Sequence, residues 1–183
     1  MPIIPTPIKD LVIYEPKVFH DDRGYFFESY NKQSFEKELG YSINFVQDNQ
    51  ARSVKNVLRG LHFQNHPHGQ TKLIRVLEGT IWDVAVDLRK DSETYGKWFG
   101  VELSAENKRQ LLVPIGFAHG YAVLSDTAEV FYKCDAFYNK DLEGGLLYND
   151  ESVNVDWKLN VKDAIVSEKD TVQPVLADVK SNF

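Results

Sequence analysis

The stretch of residues 80–88, TIWDVAVDL, constrains the fold of this chain more than any other. Trp82, Val84, Val86 and Leu88 share one face of a period-2 pattern, and Ile81, Asp83, Ala85 and Asp87 share the other, which is the repeat of a strand and not of a helix. One face is expected to be core, and the other carries carboxylates. Comparable short apolar segments, broken by Gly, Asn, Asp and Pro, predict further strands over residues 11–15, 25–30, 45–52, 57–61, 72–77, 98–103, 110–113, 120–124 and 130–136. Aromatic residues make up 13% of the chain, as suits such strands. The class is all-β, and the strand spacing fits a sandwich or barrel. One short peripheral helix is predicted over residues 31–39, with Asn31 as its cap and Phe35 and Leu39 one turn apart.

The chain has 183 residues, 43% of them hydrophobic and 26% charged, so one globular domain over 1–183 is expected. Alternation fades after Trp157, and residues 158–183 are expected to form a tail packed on the barrel. Lys and Arg number 21 against 27 Asp and Glu, a net charge of -6, which argues against nucleic acid or an anionic membrane as partner. Cys134 is the only cysteine, so an intrachain disulfide and a multi-cysteine zinc site are both excluded. The N-terminal MPIIPTPIKD lacks the basic start and apolar core of a signal peptide, and no apolar run approaches the roughly 18 residues of a membrane span. A soluble cytoplasmic protein is expected.

His62 lies in LRGLHFQ, where strict alternation sets Gly60 and His62 opposite Leu61 and Phe63. An isolated histidine of this kind is either a hydrogen-bonded structural residue or a base. Arg59 and Lys72 bracket it, and in an acidic chain that combination resembles a local anion site with a base beside it. A metal centre is poorly supported. Gln64 stands two residues after His62, where a metal-binding barrel would offer a second imidazole, and His66 and His68 are separated by Pro67 and followed by Gly69, as in a loop.

LRGLHFQ is followed by QTKLIRVLEGTIWDVAVDLR, PIGFAHGYAVLS, AEVFYKCDAFYNKDLEGGLLYND and VSEKD, and preceded by HDDRGYFFESY and NFVQDNQARS. Taken together, in this order, these motifs resemble the dTDP-4-dehydrorhamnose 3,5-epimerase family over about residues 11–170. The resemblance implies a cupin-type jelly-roll (double-stranded β-helix) barrel, a homodimer that exchanges a strand, a dTDP-4-keto-6-deoxyhexose substrate, and no metal or other cofactor. One departure is visible: Thr71 precedes Lys72 where the family pattern has Gly, which leaves the local loop geometry open.

A 4-keto group acidifies the hydrogens on C3 and C5, so epimerisation is proton removal followed by return to the opposite face. A histidine, ordinarily titrating near 6.5, suits the first step, and His62 is the expected base. It needs a carboxylate on its other ring nitrogen. The resemblance assigns Asp170 of VSEKD to that task. Asp83 is a second candidate, its alternative being a partner for a buried Lys or Arg. Lys72 is expected to stabilise the enolate charge at O4. Tyr132 of FYKCD matches the family's acid, since a phenol is already protonated at neutral pH. Arg23 and Arg59 match its diphosphate contacts. The resemblance further implies that Phe19, Phe26, Glu28, Gln47 and Asn49 recognise thymine, that His119 touches substrate, and that Glu143 and Lys169 sit near the mouth; Tyr138, close to Tyr132 in the chain, is a further candidate for lining the nucleotide pocket. The competing readings are a C3-only or C5-only epimerase, a noncatalytic sugar-nucleotide-binding cupin, and a metal-dependent cupin enzyme.

Overall fold

A computed structural model describes residues 3–183; Met1 and Pro2, the start of the predicted 1–183 unit, lie outside the described residues. In chain order the elements are β1 (Ile3–Pro5), β2 (Val12–Tyr14), β3 (Val18–Asp21), β4 (Gly24–Phe27), α1 (Lys32–Leu39), β5 (Gln47–Val54), β6 (Val57–Gln64) and β7 (Lys72–Glu78). There follow β8 (Thr80–Asp87), β9 (Trp98–Ser104), β10 (Gln110–Val113), β11 (Phe117–Val123), β12 (Thr127–Cys134), β13 (Glu143–Gly145), β14 (Ile165–Val166) and α2 (Glu168–Thr171). One sheet runs β1-β2-β10-β7-β12-β5, and the other runs β13-β6-β11-β8-β9. They face each other as a cupin-like jelly-roll barrel. β3 and β4 pair only with each other, and β14 adds to β6 in parallel.

Alternation along each strand divides the apolar residues into layers. Ile74 and Val76 of β7, Ile81 and Ala85 of β8, and Leu111 and Val113 of β10 fill the space between the sheets. The outward faces are covered too. Leu73 and Leu112 meet Phe35 of α1, while Val84, Val86, Leu58, Leu61 and Phe63 are roofed by Trp157, Leu159, Val166, Leu176 and Phe183. Each such fully buried Leu or Val contributes about 1.5–3 kcal/mol. The tail from 158 therefore covers an apolar sheet face that water would otherwise reach. β8 departs from the expectation of one core face: Asp83 and Asp87 are as buried as Val84 and Val86. The carboxylate face is the one turned between the sheets, with Ile81 and Ala85, while the apolar face expected as core is covered from outside by the tail, so both faces of β8 are interior.

α1 begins where Asn31 accepts the Ser34 N–H at 3.2 Å and ends at Gly40, whose φ of 82° suits a left-handed cap. The other local departure is in β6. Arg59 pairs with Tyr121 and His62 with His119, with a register shift between them at Gly60. Strict alternation would turn Arg59 to the face of Leu61; the extra residue returns it to the face of His62. Gly60 has φ of 121°, and a Cβ there would lie 2.6 Å from the Gly120 Cα and 2.8 Å from the His119 carbonyl oxygen. Gly60→Ala is expected to cost roughly 2–5 kcal/mol, strain and overpacking together. Urea unfolding tests this, and a loss under about 1 kcal/mol would show that β6 and β11 separate freely.

Candidate active site

Side chains of β6 and β12 border two neighbouring lobes that share lining residues. The larger, about 470 Å³, is lined by Arg59, His62, Tyr121, Tyr132, Lys169 and Asp170 among others. The smaller, about 150 Å³, is lined by Gln47, Asn49, His62, Gln64, Lys72, Tyr132, Tyr138 and Glu143 among others. His62 and Tyr132 line both lobes. They rise from different sheets, His62 from β6 and Tyr132 from β12, so they approach the space between from opposite sides.

His62 Nε2 lies 2.5 Å from Asp170 Oδ1, and the Gly60 N–H reaches Oδ2 of the same carboxylate at 3.3 Å. The His62 side chain is 29% exposed and that of Asp170 only 4%, so the base faces the lobes while its carboxylate is shielded. The tail delivers that carboxylate. Ile165 and Val166 run beside Val57 and Leu58, and Ser167 then caps the short α2, accepting the Asp170 N–H. Burial pushes the Asp170 carboxyl up, but the hydrogen bond and charge of His62 and the donors from Gly60 and Ser167 outweigh it and hold the group below its ordinary value. A neutral imidazole that gives its Nε2–H to this carboxylate carries its lone pair on Nδ1.

Lys72 shares the interior face of Ile74 and Val76, and desolvation lowers its ammonium pKa against the opposing pull of Cys134, Asp83 and Glu143. Thr71 beside it is not a positive-φ residue; its N–H is held by Asp135 Oδ1 at 2.6 Å, so the loop accommodates a side chain where glycine was expected. Burial raises the Tyr132 phenol to about 12, with Cys134, Tyr121 and Glu143 adding to the rise and Arg59 opposing it. The Arg59 Nε donates to Ser53 Oγ at 3.0 Å. At the mouth, Glu143 receives the Tyr138 hydroxyl at 3.0 Å and the Lys169 ammonium at 2.5 Å. Burial raises the Glu143 carboxyl, but these donors and the charges of Lys169 and His62 bring it below its ordinary value.

Other expected residues lie elsewhere. Asp83 does not hold His62: its Oδ1 is 2.8 Å from His119 Nε2, and its partner is thus neither the base nor a Lys or Arg. The register explains this, since Asp83 and His119 sit diagonally on adjacent strands while His62 is one strand further across. His119 itself is 8% exposed and lines neither lobe. Phe19, Arg23, Phe26 and Glu28 also line neither lobe; Phe19 and Phe26 are exposed on the β3–β4 hairpin, where Arg23 pairs with Asp21. Tyr121 and Gln64 line the lobes but were not expected as site residues, and neither was Cys134, whose thiol Asn49 reaches at 3.6 Å. Tyr121 shares the face of His119, and Cys134 that of Tyr132, so strand alternation was the available signal. Among the described residues no group of three His, Cys, Asp or Glu side chains is arranged to hold a metal ion, and Gln64 occupies the face position beside His62.

Comparison with known proteins places this site in context. The profile of the family described as dTDP-4-dehydrorhamnose 3,5-epimerase matches residues 5–178. An enzyme of that name from Shigella flexneri is 54% identical over 170 residues, 93% of each chain. The crystal structure of a dTDP-4-dehydrorhamnose 3,5-epimerase from Elizabethkingia anophelis superposes with a TM-score of 0.94 at 55% identity, covering 97% of both chains. A dTDP-6-deoxy-D-glucose-3,5-epimerase from Legionella pneumophila, solved in complex with dTDP-4-keto-L-rhamnose, gives 0.93 at 46% identity, covering 98% of this chain and 94% of that one.

Proposed function

The chain belongs to the dTDP-4-dehydrorhamnose 3,5-epimerase family, and from that premise we propose that His62 and Tyr132 act on opposite faces of a dTDP-4-keto-6-deoxyhexose held between the two sheets. The activity is that of a sugar-nucleotide epimerase, converting dTDP-4-dehydro-6-deoxy-D-glucose to dTDP-4-dehydro-L-rhamnose. His62 takes the proton from a carbon next to the ketone, and the C–H electron pair moves into an enolate whose charge falls on O4. Lys72 is the cation for that oxygen, stabilising the transition state more than the ground state. Tyr132 then gives its proton to the other face of the same carbon. This inverts the centre and leaves His62 protonated and Tyr132 ionised, so one proton must pass back through solvent before the second centre turns over. The observation that carries this reading is that His62 and Tyr132 alone among these groups line both lobes, from opposite sheets. With Lys72 taking the charge, the chemistry requires no metal or organic cofactor.

Arg59 supplies a fork-shaped cation for the diphosphate, and Gln47, Asn49, Tyr138, Glu143 and Lys169 border the nucleotide end. Phe19, Arg23, Phe26 and Glu28 are assigned to the same end, but of a second copy. Among the described residues their hairpin pairs with no other strand, and it exposes Phe19, Tyr25 and Phe26, which supports its donation across a homodimer. Among the described residues no helix is long and apolar enough to cross a membrane.

Incubation of dTDP-4-keto-6-deoxyglucose with the protein in deuterated water, followed by NMR of the sugar, tests the reading. Deuterium is expected at both C3 and C5. Incorporation at one carbon would reduce the activity to a C3-only or C5-only epimerase, and none at either would leave a sugar-nucleotide-binding cupin.

A further inference from the structure

Gln64 is a fully interior amide that no step of the chemistry uses. It is 4% exposed and sits two residues beyond His62 on the same face of β6. Its Oε1 accepts the Asn139 N–H at 2.8 Å, and its Nε2 donates to the Phe137 carbonyl at 3.1 Å and to the His68 carbonyl. Between the two gripped peptide groups lies Tyr138, whose own N–H is taken by Gln47 Oε1 at 3.0 Å. Three consecutive residues of this loop are thus fixed by side-chain amides from β5 and β6. Tyr138 is 54% exposed and lines the small lobe; Glu143 takes its hydroxyl at 3.0 Å, and the gripped backbone sets the other end of the side chain.

We propose that Gln64 is a positioning residue that sets Tyr138 over the nucleotide end of the site. The inference rests on the assignment of Tyr138 to the nucleotide pocket. An amide is the group that meets this need, because one side chain must both accept from Asn139 and donate to two carbonyls. An imidazole or a carboxylate at 64 could not make all three bonds. The clamp also orders the residue 65–70 loop against the 137–139 loop, which joins both walls of the mouth to the strand that carries the base.

The test is a double-mutant cycle read by calorimetric binding of dTDP, with thermal unfolding measured alongside. Gln64→Met removes the three bonds while keeping the length of the side chain, and is expected to weaken dTDP binding about 5- to 10-fold, in line with one or two net hydrogen bonds. Tyr138→Ala is expected to weaken it as well. If Gln64 acts through Tyr138, the double variant binds no more weakly than Tyr138→Ala alone. In turnover, KM for the sugar nucleotide rises more than kcat falls. Should Gln64→Met prove too unstable, Gln64→Asn is measured in its place; it keeps the amide but is one methylene too short to reach both loops. A lowered melting temperature with unchanged dTDP affinity, or a full additive loss in the double variant, overturns the proposal and leaves the nucleotide assignment of Tyr138 intact. If Tyr138→Ala itself binds dTDP normally, that assignment fails, and the positioning role falls with it.

Discussion

His62→Ala is expected to abolish hydrogen exchange at both C3 and C5 while dTDP still binds. A positioned general base contributes about 10² to 10⁴-fold, and the groups assigned to the diphosphate and thymine are separate from it. Both carbons should fail together, because the described site offers one imidazole open to the lobes; His119, its cross-strand neighbour, is buried and already bound to Asp83. Burial raises the Asp170 carboxyl, but the hydrogen bond and charge of His62 hold it below its ordinary value. Its stabilising contribution is present above the unfolded carboxylate value of about 3.9 and is lost as pH falls through the lower folded value. Deuterium incorporation and dTDP affinity should be measured on the same sample. Exchange that survives at either carbon would move the base to another residue, and loss of dTDP binding would show that the substitution had damaged the pocket instead.

How far the site could be read from the sequence depended on whether a residue's role was local. β8, β9 and α1 were legible because alternation, or a cap followed by an apolar i, i+4 pair, fixes them without reference to the rest of the chain. β1, β3, β13 and β14, of two to four residues, are too short to show a period. That the carboxylate face of β8 would be the one turned between the sheets was invisible, because it requires the distant tail to cover the apolar face. His62 was singled out from its strand motif, and Lys72 and Tyr132 from the family resemblance, but the sharing of one face by Arg59 and His62 was not legible. It depends on a register shift at Gly60, which shows in the sequence only as a glycine. The choice between Asp170 and Asp83 had the same character. Nothing local separates two carboxylates that lie far apart in the chain, whereas a parallel pairing of β14 on β6 brings one to His62 and the sheet diagonal takes the other to His119.

Tyr132→Phe separates proton removal from inversion, and is expected to keep the first while losing most of the second. The partly buried ring packs against the interior cluster, so phenylalanine preserves that packing and the change is confined to one hydroxyl. With His62 and Asp170 intact, the enolate still forms, and deuterium still enters the sugar from the His62 side with retention. What is lost is the donor on the other face. At a pKa of about 12 the phenol is protonated before every turnover, and the phenolate left after transfer has Arg59 as the one neighbour that favours its charge. No other hydroxyl in the two lobes is placed on β12 opposite β6. The ratio of inverted to merely exchanged sugar in deuterated buffer should therefore fall by at least tenfold, toward the lower part of the 10² to 10⁴-fold range of a positioned acid as water takes over. An unchanged ratio would mean that the proton arrives from water or from Tyr138, and the opposition of two sheets would then serve to bind the sugar without inverting it.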